Sequence, residues 1–254
     1  MSGGHTHGHG LLVHGHSRLH TIAPQCKVAA ALAFVFVVVA TPRDAFWAYG
    51  VYAGLIVALT LSARVPLLVL VRRLTVETPF LLFVVALPFL ARGERVDVVG
   101  LNLSVEGLWG AWNILAKATL GTATMMLLAS TTPITSILQG FQKLRVPSVI
   151  VAIAGFMIRY LDVIASEMRR MKVGRQSRGY EPRVLWQTRA LASSAGTLFI
   201  RSYERGERVH LAMVSRGYSG VMPVLAVVEA SAADWLTAFF VPMVAAMTCA
   251  AAWL

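Results

Sequence analysis

Charge is what this chain has least of. Only 14% of its 254 residues are Asp, Glu, Lys or Arg, against about 25% in an average soluble domain. That scarcity excludes an ordinary water-exposed globular surface. Cysteine is nearly absent too: Cys26 and Cys249 are two isolated residues, with neither a metal-ligand spacing nor a redox motif, and read as small apolar side chains. There is no Gly-x-x-x-x-Gly-Lys-Ser/Thr phosphate loop. The nearest string, residues 174–179, is too basic and wrongly arranged, so this chain is not expected to hydrolyse ATP. No Ser/His or His/Glu constellation falls inside the apolar runs, which argues against a membrane enzyme. The N-terminus lacks a basic segment running into an apolar stretch and a small-residue cleavage site, so no cleavable signal peptide is expected. The net charge of +11 comes with no nucleic-acid recognition motif, and nucleic acid is not an expected partner.

What is present is long and apolar. Hydrophobic residues make up 57% of the chain and the mean hydropathy is +0.66. Runs at about 28–41, 45–61, 79–90, 108–129 and 235–254 approach the roughly 20 residues that cross a bilayer as a helix. Only helices and closed barrels satisfy their own backbone in lipid. The expected fold is therefore all-α: a polytopic helical membrane protein with about five transmembrane helices. Trp235 and Trp253 suit interfacial anchors. Within the runs, Lys117 is the main ionisable residue, so a path of ionisable groups of the kind that serves a secondary carrier is poorly represented.

The basic residues are concentrated. Between Lys143 and Arg216 lie 14 of the 23 Lys and Arg but only 5 of the 12 acids, and no Lys or Arg follows Arg216. The positive-inside tendency places this block in the cytoplasm, with the N-terminus also inside; a basic block beside a membrane also suits anionic lipid head groups. Val149–Ile158 is apolar but is interrupted by Arg159 and Asp162. We read it as the start of a long helix lying along or under the membrane. Leu161, Ile164, Met168 and Met171 recur at steps of three and four and line one face, either as a core stripe or as a partner groove. After Glu181-Pro182 a second long segment, Arg183–Arg216, keeps a rough helical stripe. The expectation is two long cytoplasmic amphipathic helices.

Each of these ends in the same tetrapeptide: Ser177-Arg178-Gly179-Tyr180 and Ser215-Arg216-Gly217-Tyr218. Gly179 and Gly217 fit the position just past a helix end, where positive φ is favoured. Arg178 and Arg216 suit the negative end of the helix dipole. One such ending is an ordinary basic cap; an identical pair on consecutive helices points to two equivalent docking points. An Arg at a helix end offers a planar fork of donors to a carboxylate.

A second pattern is histidine. His5, His7, His9, His14, His16 and His20 are six of the seven in the chain. Imidazoles suit cobalt, nickel, zinc and copper, and the glycine spacing argues for a flexible, weakly chelating tail over a preformed site. No firm metal site is expected.

Thr131-Thr132-Pro133, Leu144-Arg145-Val146-Pro147, Arg159-Tyr160 and the two Ser-Arg-Gly-Tyr ends together resemble the transmembrane T component of energy-coupling-factor (ECF) transporters of the cobalt type, the CbiQ/EcfT family. The resemblance runs through most of 17–223. Ser177 and Ser215 stand where the family usually has Ala, with the Arg-Gly pairs intact. The resemblance implies a tail (1–24), helices 1–4 (25–130), a cytoplasmic coupling-helix domain (131–217), and a loop with a last transmembrane helix (218–254). It implies a non-catalytic subunit of an ATP-driven importer for cobalt or nickel, in a prokaryotic plasma membrane. Its partners would be two ATP-binding-cassette ATPases, identical or different, a substrate-binding S component, and the bilayer. This chain would hold no cofactor; ATP and Mg²⁺ would sit on the ATPases. Arg178 and Arg216 would be the docking arginines, and Gly179 and Gly217 would allow the close turns. A stand-alone secondary carrier with a basic cytoplasmic domain is the alternative.

Overall fold

The computed structural model describes residues 22–64, 77–91, 95–98, 101–180, 189–220 and 230–254. The helices are α1 (Pro24–Ala40), α2 (Phe46–Ser62), α3 (Thr78–Leu90), α4 (Val105–Thr131), α5 (Ile134–Lys143), α6 (Ser148–Gln176), α7 (Arg189–Val214) and α8 (Ala232–Trp253). One antiparallel hairpin, β1 (Arg95–Val98) and β2 (Leu101–Ser104), pairs Val96 with Leu103 and Val98 with Leu101. The fold is all-α apart from that hairpin. α4, α6 and α8 are each long and apolar enough to cross a membrane; α1, α2 and residues 80–90 of α3 are shorter apolar helices. The chain divides into two compact units, residues 1–144 with 226–254, and residues 145–225.

The first unit is held by a core where α1, α2, α4 and α8 meet. Phe34, Tyr49, Tyr52, Ile56, Leu120 and Ala245 are buried in it. Tyr52 stands edge-on to Phe34, with ring centres 5.8 Å apart, and edge-on to Tyr49. Buried phenols need partners, and Tyr52 Oη reaches both Thr41 Oγ1 at 3.0 Å and Ala245 O at 3.3 Å. α3 lies on α4 so closely that a Cβ at Gly107 would sit 2.7 Å from Pro88 Cα, so only glycine fits. Ser104 caps α4 by accepting from Gly107 N, and a Ser231/Asp234 capping box starts α8. Outward-facing Leu82, Val85, Leu236, Phe240 and Met247 are exposed, as a lipid-facing surface requires.

The Thr-Thr-Pro string ends α4. Thr131 Oγ1 donates back to Leu127 O at 2.9 Å, Thr132 is extended, and Pro133 starts α5. α5 packs on α1 and was not anticipated as a separate helix. The hairpin falls between the apolar runs at 79–90 and 108–129.

The second unit holds α6 and α7. α6 runs unbroken through Arg159 and Asp162. The ten-residue apolar run understated it, because a helix in progress carries two ionisable residues on other faces without ending. The histidines of the tail and Glu181-Pro182 lie outside the described residues.

Candidate functional site

The two Ser-Arg-Gly-Tyr ends have the same structure, bond for bond. At the first, Ser177 N donates to Val173 O, Arg178 N to Arg175 O, Gly179 N to Gln176 O, and Tyr180 N to Arg175 O, at 2.9–3.1 Å. At the second, Ser215 N donates to Leu211 O, Arg216 N to Met213 O, Gly217 N to Val214 O, and Tyr218 N to Met213 O, all at 3.0 Å. The bond from the tyrosine nitrogen back five residues is the wide turn that closes a helix around a left-handed residue. Gly179 and Gly217 supply it with φ of +73° and +85°. The serines also match: Ser177 Oγ donates to Gly174 O at 3.1 Å and Ser215 Oγ to Ala212 O at 3.0 Å. Each satisfies a carbonyl that the helix end would leave without an internal partner, which gives serine a local reason to stand there.

Arg178 and Arg216 are exposed and Tyr180 and Tyr218 half-buried, the same pattern at both ends. Among the described residues neither arginine has an acidic partner within ion-pair distance. Both guanidinium groups stand at the negative end of a long helix and face outward.

α6 and α7 run antiparallel. Arg175 Nη1 donates to Ser194 Oγ at 2.5 Å near one end. Arg201 Nη1 donates to Glu167 Oε1 in the middle. Phe156 and Met157 share a cleft with Met213 and Tyr218 at the other end. The first motif therefore lies at one end of the helix pair and the second at the opposite end. The twenty steps from Phe156 to Gln176 rise about 30 Å, which sets the scale of their separation. Glu167 accepts from Arg170 Nη2 as well, at 3.0 Å, and the Arg201 hydrogen bond holds its carboxyl below the usual range.

Of the other candidates, Lys117 Nζ donates to Val39 O at 2.7 Å, at the C-terminal end of α1. It is bonded to backbone rather than set in a chain of ionisable groups. His210 is exposed and lines the cleft between α6 and α7. Among the described residues no group of three His, Cys, Asp or Glu is placed to hold a metal.

A helical fold with, among the described residues, three helices long and apolar enough to cross a bilayer is that of a polytopic membrane protein. The chain belongs to the CbiQ family: residues 15–225 match the family described as cobalt transport protein. It is 27% identical over 225 residues to the energy-coupling factor transporter transmembrane protein EcfT of Thermosediminibacter oceani, covering 83% of this chain and 84% of that one. It is 28% identical over 148 residues to the cobalt transport protein CbiQ of Rhodobacter capsulatus, covering 56% of this chain and 60% of the relative. An uncharacterised protein of Methanocaldococcus jannaschii is 29% identical over 137 residues, 53% of this chain. The chain spans about half the length of that last relative, 51% of it.

Proposed function

We propose that this chain is the non-catalytic coupling subunit of an ATP-driven ECF-type importer for cobalt or nickel ions. Two ATPase subunits, identical or different, supply ATP hydrolysis with Mg²⁺, and a separate membrane subunit binds the cargo. The chain sits in a prokaryotic plasma membrane with residues 143–216 in the cytoplasm: α6 is long and apolar enough to cross a bilayer, but a crossing there would carry the basic block that follows it outside, against the positive-inside tendency. The observation that carries the reading is the pair of Ser-Arg-Gly-Tyr ends: the same hydrogen bonds, the same outward arginine, and placement at opposite ends of one helix pair. Two equivalent ends about 30 Å apart suit two equivalent partners. Each arginine pairs with a carboxylate on one ATPase, and nucleotide-driven movement of the ATPases reaches the membrane helices through α6 and α7. The carrier alternative loses its main residue, because Lys117 is engaged with Val39 O.

The test is ATPase co-purification and ion uptake for Arg178→Ala, Arg216→Ala and the double variant. Truncating one partner of a buried interfacial charge pair costs about 2–5 kcal/mol. Each single change is expected to weaken docking and uptake, and the double change to do so further, with unchanged amounts of chain in the membrane. Normal docking and uptake in the double variant would overturn the reading.

A further inference from the structure

We propose that Glu167 is the positioning residue of the coupling unit: its carboxylate clasps α6 to α7, so that the two Ser-Arg-Gly-Tyr ends move as one body. This rests on the coupling reading above and deepens it.

The first observation is how little else joins the two helices. α6 has no buried residue over its whole length. In the half nearer the second motif, Phe156, Tyr160 and Ile164 face Val209 and Met213 across an open cleft of about 410 Å³. The open space between these side chains leaves that half of the pair loosely packed, and loose packing holds relative slide and tilt weakly. The described side-chain hydrogen bonds between the helices are Arg175 to Ser194 and Arg201 to Glu167.

The second observation is the geometry of Glu167. Its two oxygens are used separately: Oε1 accepts from Arg201 on the facing helix, and Oε2 from Arg170 on its own helix at 3.0 Å. Its side chain is only 18% exposed. Among the described residues it is the acid that forms an ion pair from one helix to the other; Glu204 pairs with Arg208 one turn away on its own helix, at 3.9 Å. The clasp lies between the motifs, about 16 Å along α6 from Arg178 and about 22 Å along α7 from Arg216. Displacement of either end passes through it. Without it, a pair lacking interdigitated packing slides, and motion at one end is dissipated in the cleft.

The experiment compares Glu167→Arg, Arg201→Glu and the double exchange in the assembled transporter. It measures ATPase co-purification, ion uptake per ATP hydrolysed, and the distance distribution between spin labels on α6 and α7. Either single change places like charges together. Each is expected to lower uptake per ATP by about two- to five-fold, the range of a partly exposed pair, and to broaden the α6–α7 distances while ATPase binding is retained. The double exchange returns an opposite-charge pair between the helices and restores both in part, since Arg170 still stands beside position 167. Unchanged coupling in the single variants, a double exchange no better than either single, or loss of ATPase binding in the single variants would each overturn the clasp. Arg178→Ala and Arg216→Ala, run alongside, separate the two claims. If they abolish docking while the Glu167 series behaves as wild type, the clasp alone fails. If they leave docking intact, the coupling reading fails with it.

Discussion

Replacing Lys117 by Met separates a structural role from a transport role. α1 ends at Ala40, and the last carbonyls of a helix have no partner within it. In hydrocarbon each such group left unpaired costs several kcal/mol. Three neighbouring helices supply donors to this end. Lys117 Nζ of α4 donates to Val39 O at 2.7 Å. Trp253 Nε1 of α8 donates to Ala40 O at 3.3 Å. Tyr49 Oη of α2 lies 3.3 Å from Thr41 O and 3.4 Å from Pro42 O. The Lys117 bond is the shortest, and the only one from a cation, at the end of the helix where the dipole favours one.

Lys117→Met keeps an unbranched apolar stem but removes both donor and charge. A hydrogen bond from a charged group is worth about 1.5–3 kcal/mol, and the dipole interaction, partly the same energy, about 0.5 kcal/mol. The combined loss should be about 2–3 kcal/mol, or a fall in Tm of roughly 5–10 °C for a chain of this size. Thermal unfolding of the purified membrane protein in detergent reads the Tm, and metal-ion uptake at a temperature well below it reads function. Lys117→Arg should keep most of the stability. The expected result is a lower Tm with uptake per folded molecule unchanged. An unchanged Tm with abolished uptake would refute the capping argument and return Lys117 to an ion path.

Four further outcomes are expected. Gly179→Val or Gly217→Val should reduce ATPase co-purification through strain alone, about 1–2 kcal/mol for a side chain held in the left-handed region, since a Cβ at either position meets nothing within 4 Å; Asn should be milder, and equal docking by the Val variants would contradict the turn's role. Removing residues 1–16 should abolish retention on an immobilised cobalt column at pH 7.5, retention which the full chain loses below about pH 6 as imidazoles protonate; loss of ATPase assembly on deletion would show the tail to be structural. The Glu167 carboxyl is held low, so its contribution to the α6–α7 contact is present above the ordinary glutamate range and lost as pH falls below about 4. Spin-label distances should broaden there in wild type, and Glu167→Gln should be broad at every pH. A cysteine at position 180 should resist an impermeant reagent applied outside intact cells; labelling from outside would reverse the topology.

The apolar helices were legible because the bilayer demands a length and a composition that a sequence displays directly. Runs read at about 45–61 and 108–129 appear as Phe46–Ser62 and Val105–Thr131. The two glycine turns were legible because only a few residue types tolerate positive φ. What escaped was short and depended on context. Ile134, Ile137, Leu138 and Phe141 mark the apolar face of α5 at helical spacing, yet ten residues are too few to separate from their surroundings without seeing α1 beneath them. The hairpin has the alternation Val96, Val98 and Leu101, Leu103, but four residues a strand is a faint signal. The partner of Lys117 is a backbone carbonyl 78 positions away, and no side-chain pattern announces such a bond. The Glu167–Arg201 pair, 34 positions apart, was hidden in the same way among many charges.

The two units differ in how they are held together, and the difference bears on function. The first buries Tyr49 and Tyr52 in a core with hydrogen-bonded phenols and edge-on rings. Such packing resists deformation, because dense interiors transmit strain rather than absorb it. In the second, α6 buries no residue, and Val149, Ile153, Met157 and Leu161 are 55–66% exposed along one face. Exposed apolar surface on that scale marks an interaction site. The helix pair is held by few bonds, the Glu167–Arg201 pair among them, and carries outward arginines at its two ends with an apolar stripe between. On the coupling reading proposed above, such a pair moves as one body with its partners, while the helices of the first unit keep their own packing. On that reading the motifs stand on α6 and α7 because a helix that buries no core residue can be displaced without disrupting a core.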